Sequence, residues 1–346
     1  MTKYSILPGP NNRISDVDGV KVGHTQNLRG TARTGVTAIR FHDGNHYLKR
    51  PFAGCAIING FSKALGLTQL AELGEIETPL LLTNTFGVHA CAQELIACAI
   101  AENPRIGRGH PTVNPLVLEC NDGSVNDIQK IGVDRQMARD ALQACAPDVE
   151  QGTVGAGTGM RTFGHAGGIG TASRRVHIED AGNFTIGALV LANFGDPRQM
   201  RDKEGGLRLG ELPHVEDKGS IVIVIAVDAP LNSNQLSRVA RRSAAGLGRL
   251  GSFYGHGSGD IAVAVSTKNM TDYSAQRSVT PAEHLRNDRL DGFFLATADL
   301  VEEAVINALN TSVPFEGWDG SILPKFGVQP AETQHPVSQV RQAKFK

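Results

Sequence analysis

The sequence predicts a layered α/β (α+β) fold, and three observations support that prediction. Apolar, often β-branched segments alternate with segments of helical periodicity along most of the 346 residues. The 40 glycines cluster between these segments, as expected for connecting loops that have a purpose. No internal repeat divides the chain, so residues 1–346 are expected to form a single domain.

The N-terminal part contains short strands and one clear helix. The predicted strands cover residues 19–23, 35–40, 54–60 and 77–85, and a helix follows from about 87 to 102. Residues 115–128 are then expected to form a strand, a turn at Asn121-Asp122-Gly123 and the start of another helix.

The second half alternates in the same way after its most glycine-dense segment, residues 152–176. The charged, aperiodic residues 197–218 predict an exposed loop, and the β-branched run 220–230 predicts a strand buried on both faces. The other predicted elements are a strand over 184–196, a helix over 233–250, a strand over 260–267 and a helix over about 292–310.

Composition and charge exclude several classes of protein. A net charge of −1 gives no reason to expect a nucleic acid or an anionic membrane as partner. The five cysteines lack CxxC and CxxxH spacing, so we interpret them as reduced and mostly buried thiols. Residues 1–19 contain no apolar signal-peptide region, and no apolar stretch approaches the length of a membrane span. The sequence therefore predicts a soluble, cytoplasmic protein.

The stretch 249–267, RLGSFYGHGSGDIAVAVST, has more glycine than a helix–strand connection requires. The segments GAGTGM (155–160) and GHGSGD (255–260) share a G-x-G-x-G spacing but lack the rest of the dinucleotide fingerprint. A G-x-S-x-G elbow is excluded because His256 and Asp260 occupy its outer positions. The eleven histidines are scattered along the chain, so neither a metal nor another cofactor is expected. Such glycine density indicates unusual dihedrals or close backbone approach.

The last predicted helix carries a carboxylate where an apolar residue is expected. On a helical wheel, Glu302 falls in the middle of an apolar arc and Glu303 falls outside it. The arc consists of Leu295, Ala298, Val305, Ile306 and Leu309. A buried carboxylate needs a cation or several donors. Glu302 thus forms a structural salt bridge to an arginine, lies in a misplaced wheel register, or faces a buried positive group in a site.

Asn193 is the second candidate, at the end of the apolar strand IGALVLAN. An asparagine at a strand end is either a turn residue or, through its side-chain NH₂, a donor to an oxyanion.

Several sequence segments follow one another along the chain in the same order as in one known family. They are ISDVDGVKVGH (14–24), TGVTAI (34–39), ETPLLLTNT (77–85), LECNDGSVND (118–127), VGAGTGM…GGIGTASR (154–174), GALVLANFG (187–195), DAPLNSNQLSRVARRSAAGLGRLGS (228–252), GHGSGDIAVAVST (255–267) and VEEAVINAL (301–309). Together they resemble the DmpA-type self-processing aminopeptidases, a family that includes L-aminopeptidase/D-esterases and β-peptidyl aminopeptidases.

The resemblance implies a four-layer αββα sandwich, shared with ornithine acetyltransferases and resembling N-terminal nucleophile hydrolases. It also implies self-cleavage of the Gly251–Ser252 bond into chains 1–251 and 252–346, assembled as a homotetramer of αβ units. Ser252 is then the nucleophile, and its freed α-amino group, with a pKa of about 7.7–8.0, is the base. Asn193 matches the family's oxyanion-stabilising Asn, and Glu302 matches a Glu that interacts with the amine.

The implied substrate is a short peptide, amide or ester, which loses its N-terminal residue through an acyl-enzyme on Ser252. Glu119 matches an acidic residue associated with the substrate's amino group, although an exposed acid at a strand end is the alternative. Asn121 is the second candidate substrate-binding residue, at a position where some members have Tyr. Leu300 replaces a Ser of some members, and Lys63 replaces an expected acid, which favours a different or acidic substrate.

Two other functions stay open at this point. One is an acyltransferase of the same fold, which passes the acyl group to an amine but uses Thr at the position of Ser252. The other is an unprocessed, non-enzymatic protein that binds a small molecule.

Overall fold

A computed structural model describes residues 4–201, 219–275 and 277–327 of the chain. Its strands are β1 (Tyr4–Pro8), β2 (Lys21–Asn27), β3 (Thr34–Arg40), β4 (Lys49–Gly60), β5 (Leu80–Asn84), β6 (Leu116–Cys120), β7 (Arg161–Thr162), β8 (His165–Ala166), β9 (Gly168–Ile178), β10 (Gly182–Asn193), β11 (Ser220–Val227), β12 (Gly259–Asp272), β13 (Phe315–Glu316) and β14 (Ile322–Leu323). Its helices are α1 (Leu67–Leu73), α2 (Val88–Glu102), α3 (Arg135–Gln143), α4 (Ser233–Arg241), α5 (Ser243–Leu250) and α6 (Asp291–Thr311).

The larger sheet has six strands in the order β1-β9-β10-β11-β12-β4. All neighbours are antiparallel except β11 and β12, which are parallel. Strand β11 is buried along its whole length, because helices cover one face of the sheet and a second sheet covers the other. The prediction of a strand buried on both faces at 220–230 is confirmed, and the strand ends at Val227.

The smaller sheet has four strands in the order β2-β3-β5-β6, of which β5 and β6 are parallel. Helices α2 and α3 cover its outer face. There, Val36 and Leu81 of the sheet pack in one cluster with Leu95 of α2 and Ala138 of α3. Two short hairpins, β7-β8 and β13-β14, lie outside both sheets.

Successive side chains of β11 point to opposite faces and show how the layers stack. Ile221 and Ile223 belong to the apolar cluster that also contains residues of α4, α5 and α6. Val222 and Val224 belong to a different cluster, which includes Leu82 of the smaller sheet. The order is therefore helix, sheet, sheet, helix, and the predicted four-layer αββα arrangement is confirmed.

Two glycines allow helix α6 to approach its neighbours closely. A Cβ atom on Gly170 of β9 would lie 1.9 Å from the Ala304 carbonyl oxygen, and one on Gly246 of α5 would lie 2.5 Å from the Ala298 carbonyl oxygen. Neither position has room for a larger residue. These contacts fix α6 against both the sheet and the middle of α5.

Two predicted helices differ from the observed ones. The helix over 233–250 is divided at Arg242, whose N–H donates to Val239 three residues back and tightens the turn. The helix expected near residue 128 is only a 3₁₀ turn, and α3 begins later, where the Asp134 side chain accepts from the N–H of Met137. Residues 202–218 of the predicted loop 197–218 lie outside the described residues. Within the described ranges, none of the helices has the length and apolarity that crossing a bilayer requires.

Candidate active site

Strand ends from both sheets meet at one edge of the molecule. Asn193, which ends β10, pairs with Ser220 at the start of β11, and Ser220 pairs with Gly259 at the start of β12. Strand β6 of the smaller sheet reaches the same edge, because the Cys120 thiol donates to the Leu191 carbonyl oxygen at 3.5 Å. The predicted site residues on these strands therefore converge between the two sheets.

The Gly251–Ser252 bond lies in a turn that only glycine fits. Helix α5 ends at Leu250, and Gly251 has a φ of 99°, in the left-handed region. A Cβ atom at this position would lie 1.8 Å from the carbonyl oxygen of Gln199. The following N–H, that of Ser252, donates to the Leu247 carbonyl oxygen at 3.1 Å, so the bond is held on both sides.

The glycine-rich loop after Ser252 is attached to the sheet edge by side chains that the sequence did not reveal. The Asn59 amide of β4 donates to the carbonyl oxygens of Gly255 and Ser258, at 2.8 and 2.6 Å. The Ser258 hydroxyl donates to Asp260 Oδ1 at 2.8 Å, and both side chains are buried. A single Asn near the end of an apolar strand carries no pattern from which this role could be predicted.

The Asn193 side chain is 3% exposed and is held in one orientation. Its Oδ1 accepts from the backbone N–H of Arg161, and its Nδ2 donates to the Asn121 carbonyl oxygen, each at 2.8 Å. An amide nitrogen carries two hydrogens, and the second has no acceptor among the described residues. This geometry suits a fixed donor with one N–H available for a ligand, and an ordinary turn residue needs none of it.

Glu119 is a buried carboxylate with neutral partners. It is 2% exposed, so the alternative of an exposed acid is wrong. Its Oε1 accepts from the Ser62 hydroxyl at 2.9 Å and from the Lys63 N–H at 2.8 Å, and its Oε2 accepts from the Thr85 hydroxyl. Within the described ranges no cationic side chain forms an ion pair with it. A carboxylate can accept about four hydrogen bonds, so Oε2 has one position left.

Lys63 and Asn121 both contact the site through backbone atoms, Lys63 through its N–H and Asn121 through its carbonyl oxygen. The Lys63 ammonium lies 4.0 Å from the centroid of the exposed Phe61 ring, away from the Glu119 carboxylate that its N–H contacts. The Asn121 side chain is exposed and accepts from the Gly123 N–H, whereas its carbonyl group receives Asn193. Although Lys63 replaces the expected acid, its ammonium forms no ion pair with Glu119, which has no cationic partner in the described part of the chain.

Asp122 is a further buried acid of this edge that the sequence had marked only as part of a turn. It is fully buried and accepts from the side-chain amides of Asn84 and Asn126. Burial raises the pKa of its carboxyl group to about 6, against hydrogen bonds that lower it. Because Asp122 follows Asn121 directly, this network fixes the carbonyl group that holds Asn193.

Glu302 is not on the buried face of α6, so its predicted place in the apolar arc is wrong, whereas Ala298, Val305 and Leu309 of that arc are buried. Its side chain is 35% exposed and forms an ion pair with Arg249 of α5 at 3.2 Å. Of the three alternatives for Glu302, the structure therefore shows the salt bridge to an arginine. The wheel counted Leu295 as buried although it is 43% exposed, and it omitted Leu300, which is fully buried in the core. Glu302 still lies near the Gly251–Ser252 turn, because Arg249 is two residues from Gly251.

Comparison with known proteins agrees with the fold and identifies the family. The sequence matches the model of Peptidase family S58 over residues 12–323. It is 35% identical to the β-peptidyl aminopeptidase BapA of Sphingosinicella microcystinivorans, covering 92% of this chain and 86% of that protein.

Solved structures are similar over nearly the whole chain. The PH0078 protein from Pyrococcus horikoshii OT3 is 43% identical with a TM-score of 0.89, and the alignment covers 93% of each chain. The L-aminopeptidase D-Ala-esterase/amidase from Ochrobactrum anthropi, described as a prototype for the serine aminopeptidases and a variant of the Ntn hydrolase fold, is 33% identical with a TM-score of 0.83 over 92% of each chain. The chain therefore belongs to peptidase family S58 and is a serine aminopeptidase of the Ntn hydrolase class.

Proposed function

We propose that Ser252 is the nucleophile and that the protein frees it by cutting its own Gly251–Ser252 bond. Ser252 Oγ attacks the Gly251 carbonyl carbon, the C–N bond breaks, and the hydroxyl proton passes to the departing nitrogen. Water then hydrolyses the resulting ester. The products are chain 1–251, which ends in a carboxylate, and chain 252–346, which begins with the α-amine of Ser252. The absence of a side chain on Gly251, beside the carbonyl that is attacked, supports this choice of bond.

The same residues then hydrolyse substrate. The freed α-amine, with an ordinary pKa of about 7.7–8.0, accepts the Ser252 hydroxyl proton as Oγ attacks the substrate carbonyl carbon. The free N–H of Asn193 donates to the oxyanion, in place of a backbone donor. The proton passes to the leaving group, and water hydrolyses the acyl-enzyme. Glu302 is the counter-ion for the α-amine in its protonated form.

The observation that carries the aminopeptidase proposal is the Glu119 carboxylate. A buried charge is costly unless it is paired, and among the residues that the structure describes this one has only neutral donors and one vacant acceptor position. The missing partner is a cation that arrives with the substrate, its N-terminal ammonium. Asn121 contributes its carbonyl group indirectly, by holding Asn193. The substrates are therefore short peptides, amides or esters with a free N-terminus, as in the β-peptidyl aminopeptidases to which the chain is similar.

Paired substrates test this assignment. We expect wild-type protein to hydrolyse α- or β-aminoacyl anilides and to be far less active on the analogues that lack the amino group. Glu119→Gln should lower kcat/KM for the amino substrates about 10- to 100-fold, since a hydrogen bond to a charged group contributes about 1.5–3 kcal/mol. The exposed Glu102 provides a control, and Glu102→Gln should act as wild type. Equal loss on both substrates would exclude an ammonium site at Glu119.

We also propose a cytoplasmic homotetramer of αβ units. All five cysteines are unpaired, which supports a reducing compartment. Sedimentation analysis of the processed protein would measure its assembly, and a mass other than four αβ units would exclude the tetramer.

A further inference from the structure

Arg249 connects the scissile turn to helix α6 through two ion pairs. Its Nη1 lies 2.6 Å from Asp299 Oδ1 and 3.2 Å from Glu302 Oε2, one turn apart on the same face of α6. Arg249 belongs to the last turn of α5, and Gly251 caps that helix two residues later. The ion pairs therefore restrain the backbone immediately before the bond that we propose is cut.

Cleavage of the Gly251–Ser252 bond would change which positive charges lie near Glu302. While the bond is intact, the Ser252 nitrogen is an uncharged amide that donates to Leu247, and Arg249 is the cation that Glu302 contacts among the described residues. Cleavage creates an ammonium on Ser252, three residues from Arg249. Glu302 then has a second cation available that did not exist before.

We propose that Arg249 is a positioning residue for self-cleavage, which holds the Gly251–Ser252 turn against Asp299 and Glu302 until the bond is cut. This inference rests on the self-cleavage proposed above. Afterwards Glu302 exchanges Arg249 for the Ser252 ammonium, and Arg249 has no part in substrate hydrolysis. The close contact of Gly246 with α6 supports the inference, because it packs α5 against α6 three residues before Arg249.

The experiment follows the cleavage of freshly translated full-length chain by intact mass. Arg249→Gln should slow cleavage about 3- to 10-fold, as expected for the loss of two half-exposed ion pairs. Asp299→Asn should give a smaller delay, and Arg249→Lys should restore most of the rate. Arg241→Gln, at an exposed arginine of α4, is the matched control and should cleave at the wild-type rate.

The second readout separates positioning from general stability. For each variant, kcat/KM is measured per processed molecule, together with the thermal unfolding midpoint. We expect Arg249→Gln to change kcat/KM less than twofold. Cleavage at the wild-type rate, or a parallel loss of cleavage, kcat/KM and stability, would overturn the inference. If Arg249→Gln does not fold, Asp299→Asn decides. Failure of the wild-type chain to cleave would instead refute the proposed self-processing.

Discussion

Replacement of Gly251 by alanine should stop or greatly slow self-cleavage. The φ of 99° places this residue in the left-handed region, where a residue with a Cβ loses about 1–2 kcal/mol. The new methyl group would also lie 1.8 Å from the Gln199 carbonyl oxygen, a backbone atom that cannot rotate away. Overpacking of this kind costs about 1–3 kcal/mol. Together the two effects amount to about 2–5 kcal/mol.

That energy acts at the Gly251–Ser252 bond, which we propose is cut. The segment after Asn193 is attached to the turn, since the Arg201 N–H donates to the Leu250 carbonyl oxygen at 3.0 Å. Relief of the clash must therefore move either this segment or the Gly251–Ser252 bond. If the whole strain appears in the barrier, cleavage slows roughly 30- to several-thousand-fold.

Time-resolved intact mass of full-length chain measures this effect. Gly248→Ala is the matched control, because a Cβ atom at that helical position would meet only the Tyr254 hydroxyl, at 3.9 Å. Alanine should stabilise that helix by about 1 kcal/mol and leave cleavage unchanged. The reasoning is refuted if Gly251→Ala cleaves as fast as Gly248→Ala while both are folded.

Two further predictions concern the site edge and the smaller sheet. Asn193→Ala removes the proposed oxyanion donor, so kcat should fall about 10²- to 10³-fold. It also removes the hydrogen bonds to the Arg161 N–H and the Asn121 carbonyl group, which should lower the free energy of unfolding by about 1–3 kcal/mol. Denaturant unfolding and kcat of the folded fraction measure the two effects, and an unchanged kcat would exclude the proposed role. Burial lowers the pKa of His24 to about 4, below its value of 6.5, so the unfolded state binds more protons between these values and stability is lost as the pH falls from 6.5 to 4, by roughly 3 kcal/mol. His24→Gln should be flatter in this window than the exposed control His177→Gln, and identical pH profiles would contradict the prediction.

Most of the layered fold could be predicted because burial leaves a pattern in the sequence. The run SIVIVIAV is apolar at every position, and it forms a strand that is buried on both faces. The helix 233–250 was predicted as one element because its apolar spacing continues through Arg242, where only the backbone tightens. Hydrophobic periodicity predicts which face of a helix is buried, but it does not predict a local change in backbone hydrogen bonding such as the one at Arg242.

The site was harder to predict, because its geometry depends on contacts between distant segments. Glu302 was placed on the wrong face since a single apolar arc cannot represent a helix that packs on both a sheet and α5. Asn59 and Asp122 had no motif, and their roles arise only when β4, β6 and β12 meet. Glu119 could be proposed from the family resemblance, but only the fold shows that it is buried and that its partners in the described ranges are neutral.

The central claim is that the protein makes its own nucleophile by cutting before Ser252. Intact mass of purified wild-type protein and of Ser252→Ala tests it most directly, with hydrolysis of an aminoacyl anilide measured on the same samples. We predict that the wild type separates into chains 1–251 and 252–346 and is active, and that Ser252→Ala remains one inactive chain. Cleavage at another bond, or cleavage that persists in Ser252→Ala, would contradict the account.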